Sequence, residues 1–135
     1  MNFCKINGKS FDVDVAISSL EENFSVLDGE NTGRVLERGR MIRDVIGTFI
    51  GHKITFFRKG DSPQAVAAID ELWSFLVAHS VDDSVMLEAA DNQSTIAYEA
   101  YYTAGKRKIS RSTGEVNYWD EIEVSFIPME AQVTP

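Results

Sequence analysis

Four arginines lie within ten residues of this sequence, and such a cluster is typical of a surface that binds anions or an acidic partner. They are Arg34, Arg38, Arg40 and Arg43, in the stretch GRVLERGRMIR. A guanidinium group clamps a carboxylate or a phosphate with two parallel hydrogen bonds. Acidic residues are interleaved with these arginines and aromatic residues are not, whereas a single-stranded nucleic-acid site needs aromatic stacking platforms. We therefore expect a solvated or protein-contacting surface, and no sequence-specific nucleic-acid binding.

A second basic cluster follows much later in the chain. Its members are Lys106, Arg107, Lys108 and Arg111. The two clusters together hold eight of the thirteen cationic residues, although the formal net charge of the chain is −8. Segregation of this kind favours docking of one copy onto another by charge complementarity. A solvated hairpin tip explains the second cluster equally well.

Residues able to catalyse a reaction or bind a metal are few. His52 and His79 are the only histidines, and their spacing is not that of metal ligands. Cys4 is the only cysteine, which excludes an intrachain disulfide and a multi-cysteine zinc cage. The sequence holds no P-loop, Gly-x-Ser-x-Gly or His-Glu-x-x-His motif. We expect no catalytic residues, no metal and no cofactor. A cleft that holds His52 or His79 against a carboxylate would instead favour an enzyme.

Length and composition indicate one domain. The 135 residues are 44% hydrophobic, which is enough for a core, and no apolar run approaches the roughly 18 residues of a membrane span. The first residues lack the apolar stretch of a secretory signal, so the protein is expected to be made inside the cell and not to bind membranes. We place a single β domain at residues 1–128 and a tail, expected to fray, at 129–135.

Most of the chain has the patterns of antiparallel strands. The stretch FCKINGKSFDVDV predicts a hairpin turning at Asn-Gly, and ISSLEENFSVLD predicts a strand. Residues 29–40 are polar and glycine-rich, which predicts a long exposed loop. MIRDVIGTFIGHKITFFRK then predicts one long strand, or two joined near residues 47–51. Near the end, Ile122, Val124 and Phe126 alternate with polar residues, as in a half-buried strand.

One helix is predicted, over about residues 62–79. Asp61 or Ser62 can cap it, and Pro63 lies in its first turn, where the missing N–H costs nothing. Its apolar residues recur every three or four positions and are expected to be buried on one face: Val66, Ile69, Leu72, Trp73 and Leu76. The fold class is thus mainly β (α+β). We expect an antiparallel β-sandwich or barrel of five to seven strands, with one flanking helix and the long loop.

The ordered set INGKSFDV, NFSVLDGENTGR, GRMIRDVIGTFIGHKITF, ELWSFL and IEVSFIP resembles a known group of proteins. They are small tail-module proteins of phages and prophages of Gram-positive bacteria. The resemblance covers about residues 5–128 and implies a tail-tube-like fold with one helix and a long extended loop. It also implies a structural role in tail assembly, as a tail-tube-like or a tail-end or adaptor component, with no catalysis.

The resemblance further implies partners and a location. The partners are other copies of the chain in a ring-forming homo-oligomer, together with other tail proteins. The chain is then found in the bacterial cytoplasm during assembly and in the virion tail of an active prophage. In tail-tube-like rings the long loop reaches a neighbouring subunit. The predicted inter-subunit contacts are therefore Arg34, Arg38, Arg40, Arg43, Lys106, Arg107 and Lys108.

A second class of function stays open. A small β-barrel can bind an apolar ligand in its interior. In this sequence the lining residues would be Phe49, Phe56, Trp73 and Tyr98. A monomer with a deep apolar pocket would favour this alternative, whereas ring-sized species would favour the assembly protein.

Overall fold

The structure is a computed structural model that describes residues 4–29, 33–34, 39 and 41–135, without the side chains of 16–19, 34 and 42. These residues form one helix and a series of strands. In chain order they are β1 (Cys4–Ile6), β2 (Asp14–Asp28), β3 (Gly33–Arg34), β4 (Met41–Ile42), β5 (Val45–Phe57), α1 (Pro63–Ala78), β6 (Val85–Asp91), β7 (Ser94–Tyr101), β8 (Gly105–Ser112) and β9 (Asn117–Pro128).

Seven of these strands form one antiparallel sheet that curls into a half-barrel. Its order is β1-β6-β7-β9-β5-β2, and β8 pairs with the first part of β9. β3 and β4, which follow β2 and precede β5 in the chain, pair with each other in a separate two-stranded sheet. The predicted mainly β fold with one helix is confirmed. The segment expected to be a loop differs in one respect, since its residues Gly33 and Arg34 are strand-paired with Ile42 and Met41.

The N-terminal turn forms as predicted, but the strand before it pairs elsewhere. Asn7 and Gly8 both have positive φ angles, of 53° and 77°, as a type I′ turn requires. Ile6 and Lys9 exchange two backbone hydrogen bonds of 3.0 Å across this turn. β1 then forms its ladder with β6, where Ile6 lies opposite Leu87. The expected hairpin is therefore limited to the Ile6–Lys9 bridge, and the rest of β1 pairs with the distant strand β6.

The helix begins and ends where the sequence predicts. The Ser62 hydroxyl accepts a 3.2 Å hydrogen bond from the backbone N–H of Ala65, and Pro63 is the first helical residue. Ile69, Leu72 and Leu76 are buried, as expected. Val66 and Trp73 are only partly buried, which corrects the expectation that the whole stripe enters the core.

The core lies between α1 and the inner face of the half-barrel. β9 contributes Ile122, Val124 and Phe126, all buried as predicted. The cluster also draws on β1 and on the strands from β5 to β7. Its members are Ile6, Ile54, Phe56, Ile69, Leu72, Leu76, Val85, Leu87, Ala89, Tyr98, Ala100, Tyr102, Ile122, Val124 and Phe126. In the described part of the chain α1 is the one helix, and its 16 residues are too few to span a bilayer.

The C-terminal tail, which was expected to fray, lies along the edge of β5. The Gln132 side chain accepts from the Ile50 N–H and donates to the Ile50 carbonyl, both at 2.9 Å. The Thr48 N–H donates to the Val133 carbonyl at 2.8 Å. Gly47 allows this approach, since a Cβ there would lie 2.5 Å from the Ala131 Cβ. The tail thereby covers part of an edge that β9 leaves open.

Candidate functional site

Part of the β2–β5 ribbon extends past the remainder of the sheet. β9 pairs with β5 only over residues 52–57, whereas β2 pairs with β5 as far as Val45. We call residues 23–28 of β2 and 45–51 of β5 the arm. Five steps of about 3.4 Å give this part of β2 a length of about 17 Å. The arm thus consists of two paired strands that continue beyond the part of β5 paired with β9.

The arm exposes apolar side chains on both faces. The Phe24 side chain is 73% exposed and lies opposite Ile50, while Leu27, 49% exposed, lies opposite Gly47 on the other face. Ile46 is 51% exposed and occupies a bulge position, since Val45 and Gly47 lie opposite the consecutive residues Asp28 and Leu27. A two-stranded ribbon alone is marginally stable in water, and contiguous exposed apolar surface marks an interaction site.

Two of the arginines predicted to make inter-subunit contacts, Arg34 and Arg43, lie at this end of the molecule. Arg43 pairs with Asp28 at the outer end of the ribbon, with Nη2 2.8 Å from Oδ1. Only the backbone of Arg34 is described, and it pairs with Met41. Arg38 and Arg40 lie outside the described residues. The structure thus places Arg34 in β3 and Arg43 between β4 and β5, and the inter-subunit contacts expected of all four arginines stay predictions.

The second predicted cluster lies on β8, which β9 and β5 separate from β2 in the strand order. Lys106 and Lys108 are exposed and pair with Glu123 at 3.3 Å and Glu121 at 3.4 Å on β9. Both lysines keep about two thirds of their side-chain surface in solvent. They are therefore accessible to a second protein.

Arg107 has a different environment from its neighbours. Its guanidinium carbon lies 3.9 Å from the centre of the Trp119 ring and 4.9 Å from that of Trp73. Its Nη1 is 3.7 Å from the Asp70 carboxylate. A planar guanidinium stacks well on indole rings. Arg107 thus joins α1 to the β8–β9 pair within one subunit. The run of basic residues in the sequence does not predict this contact.

A buried polar cluster crosses the inside of the half-barrel. His52 on β5 is fully buried, and its Nδ1 lies 2.6 Å from the hydroxyl of Tyr98 on β7. Its Nε2 lies 3.2 Å from the carbonyl oxygen of Ala90 and 3.2 Å from Oε2 of Glu22. Asp91 completes the cluster through a hydrogen bond to the Glu22 carboxyl. Sequence patterns missed this site because its members come from three distant segments.

The electrostatics of this cluster indicate a neutral imidazole. Burial lowers the pKa of His52 and raises that of Tyr98. We therefore assign the proton of the ring to Nε2, which donates to Ala90, while Nδ1 accepts from the Tyr98 hydroxyl. Burial, followed by the hydrogen bond and the charge of Asp91, raises the pKa of Glu22. Both ring nitrogens are engaged, and the geometry fits a structural bridge between strands.

His79 also contacts a carboxylate, at the end of the helix. Its Nδ1 lies 2.7 Å from Oδ2 of Asp82, and its ring packs on Phe75 with 4.3 Å between centroids. Its backbone N–H donates to the Phe75 carbonyl, as expected of a C-cap residue. This is local capping of α1 by residues three positions apart, and it brings no further polar side chain into a cleft.

The four residues suggested for an apolar ligand do not share one cavity. Phe56 lines a cleft beside Cys4 and Asp12, Phe49 lines a groove beside Ile127, and Trp73 borders other clefts near Arg107 and Tyr102. Tyr98 is bonded to His52 in the core. In the described residues, no three His, Cys, Asp or Glu side chains are grouped closely enough to hold a metal ion.

No protein-family model matches the chain, and no match was found among curated proteins. Function is therefore inferred from three features: the arm, the charged edges of the sheet and the resemblance in sequence.

Proposed function

We propose that the protein is a structural assembly protein of a phage or prophage tail, tail-tube-like or a tail-end or adaptor component. It acts by self-association and by contact with other tail proteins, without catalysis. The observation that carries this proposal is the arm, a ribbon that extends past the sheet with apolar side chains exposed on both faces. On this proposal the chain occupies the bacterial cytoplasm during assembly and the virion tail of an active prophage.

Two further observations support an assembly role. The mainly β fold with one helix agrees in fold class with what the resemblance in sequence implies. The arm is also anchored near its base, since Gln132 and Val133 bind Ile50 and Thr48 on the β5 edge. An anchored base reduces the conformational entropy that the arm would lose on docking.

Burial of the exposed apolar surface of the arm would favour a contact with a second copy. Burial of a complete phenylalanine side chain contributes about 1.5–3 kcal/mol. Phe24 is 73% exposed, so its burial against a neighbouring copy would contribute about 1–2 kcal/mol. Val26, Leu27 and Ile46 lie within a few residues of it, along β2 or across the pairing with β5, and would add to this term.

Replacement of Phe24 tests the proposal. Phe24→Ser should weaken self-association about tenfold, because each contact loses about 1–2 kcal/mol of apolar burial. The melting temperature of the monomer should barely change, since the side chain is exposed in the isolated subunit. Val81→Ser is the matched control: Val81 is 87% exposed but lies beyond the end of α1, away from the arm.

Sedimentation velocity over a concentration series measures both variants against the parent. The proposal requires Phe24→Ser to shift the distribution towards monomer while Val81→Ser leaves it unchanged. An arm that makes no contact predicts the same distribution for all three proteins, and that result would refute the assembly role of the arm.

A further inference from the structure

Four consecutive strands of the sheet, β2-β5-β9-β8, end in edges of opposite charge. The edge strand β2 carries Asp14, Glu21, Glu22 and Asp28, with no lysine or arginine; of these, Glu22 contacts His52 and Asp28 pairs with Arg43. The opposite strand β8 carries Lys106, Arg107, Lys108 and Arg111, with no acidic residue. Among the described residues, no strand pairs with the outer side of either one. One molecule therefore presents two unpaired strands of complementary sign.

The charges on the outer face alternate from one edge to the other. Lys106 on β8 pairs with Glu123 on β9, whose other carboxylate oxygen lies 3.0 Å from Nζ of Lys53 on β5. Lys53 in turn lies directly opposite Glu21 on β2. Glu123 and then Glu21 raise the pKa of Lys53, as expected for a cation between two carboxylates. The row begins with an exposed cation and ends with an exposed anion.

Strand direction allows this row to continue into a second copy. Each of the three pairings β2–β5, β5–β9 and β9–β8 is antiparallel, so β2 and β8 run in opposite directions. A second copy in the same orientation would therefore present its β2 antiparallel to the β8 of the first. Such a contact is heterologous, because different surfaces of the two copies meet, and repetition closes a ring if the rotation closes.

We propose that β8 of one copy pairs with β2 of the next, with Lys106 facing Glu21, so that the alternation of charge continues across the contact. This inference rests on the proposed self-assembly and specifies its partner surface. Lysines on edge strands commonly serve only to prevent such pairing. A second edge of opposite charge in the same molecule is what favours a specific contact between copies instead.

Two single charge reversals test the pairing. Lys106→Glu and Glu21→Lys each bring like charges together at every contact, so each should weaken association about tenfold. In an equimolar mixture, every contact between the two different variants again joins a cation to an anion, so the mixture should associate nearly as the parent does. Lys59→Glu is the control, since Lys59 is an exposed, ion-paired lysine outside β2 and β8.

Sedimentation velocity separates the outcomes, and circular dichroism melting confirms that each variant folds. Weak association of both single variants with recovery in the mixture supports the pairing of β8 with β2. If the parent associates and both variants behave as Lys59→Glu does, this pairing is refuted while the assembly role stands. A parent that stays monomeric throughout would overturn both the pairing and the proposed function.

Discussion

Replacement of His52 by alanine should destabilise the subunit strongly, because the ring bridges three strands inside the half-barrel. The substitution leaves the Tyr98 hydroxyl and the Ala90 carbonyl without their partners. A buried polar group left unpaired costs about 1–3 kcal/mol, and the lost ring leaves a cavity. We therefore expect His52→Ala to lower the free energy of unfolding by about 3–5 kcal/mol at about pH 7.5.

The pH dependence has a definite sign. The pKa of His52 is lowered in the folded state, so below the unfolded value of about 6.5 the unfolded chain binds more protons. The contribution of His52 is complete above about pH 6.5 and decreases as the pH falls towards the folded pKa. Between about pH 7.5 and 5.5 the free energy of unfolding contributed by His52 falls by as much as about 1.4 kcal/mol. Glu22 and Asp91 face the ring, and the raised pKa of Glu22 acts in the opposite direction over acidic pH.

Urea unfolding followed by tryptophan fluorescence, at both pH values, measures these effects. Because Glu22 and Asp91 are present in both proteins, the difference between parent and His52→Ala isolates most of the histidine term. That difference should be smaller at the lower pH than at the higher one. Tyr98→Phe, which removes only the hydroxyl, should cost about 1–2 kcal/mol. A cost below about 1 kcal/mol for His52→Ala, or a difference independent of pH, would refute the buried bridge.

Further substitutions test packing, stacking and the tail. Leu72→Ala should cost about 2–5 kcal/mol in a denaturant titration, more than Trp73→Ala, since Leu72 is fully buried and Trp73 is not. Arg107→Gln should lower the free energy of unfolding by about 1 kcal/mol through loss of the indole stacking, and Arg107→Lys should recover only part of it. Gln132→Ala should speed hydrogen exchange at the Ile50 amide at least several-fold, because that amide loses its acceptor. An unchanged value in any of these measurements would contradict the contact that the substitution removes.

Local features were predictable from the sequence. The cap at Ser62, the proline after it and the apolar periodicity specify α1 within one residue at either end. Strict alternation identifies the buried face of β9, and Asn7-Gly8 identifies a type I′ turn. Each of these signals depends on residues a few positions apart, which is the range over which backbone preferences act.

Long-range features were not predictable in the same way. The pairing of β1 with β6 joins residues about 80 positions apart, and no local pattern distinguishes it from a simple hairpin. The polar tail was expected to fray, yet Gln132 replaces a neighbouring strand at Ile50. His52 has no motif, and its role follows only from the burial of its partners.

The candidate contacts were predicted in part. Clustering of charge identified β8, where Lys106 and Lys108 are exposed. It did not show that Arg107 is stacked between two tryptophans within the subunit. It also did not show that the acidic complement lies on β2, because charge on a strand matters for docking only if that strand is an edge. Edge position is a property of the whole sheet order.

Self-association of the unmodified chain tests the central claim most directly. Sedimentation velocity over a wide concentration range, at low and high salt, should show species larger than the monomer. Their population should increase with concentration and decrease with salt, because the exposed charges of β2 and β8 are screened over about 8 Å at physiological ionic strength. A single monomeric species at every concentration and salt tested would contradict the assembly role.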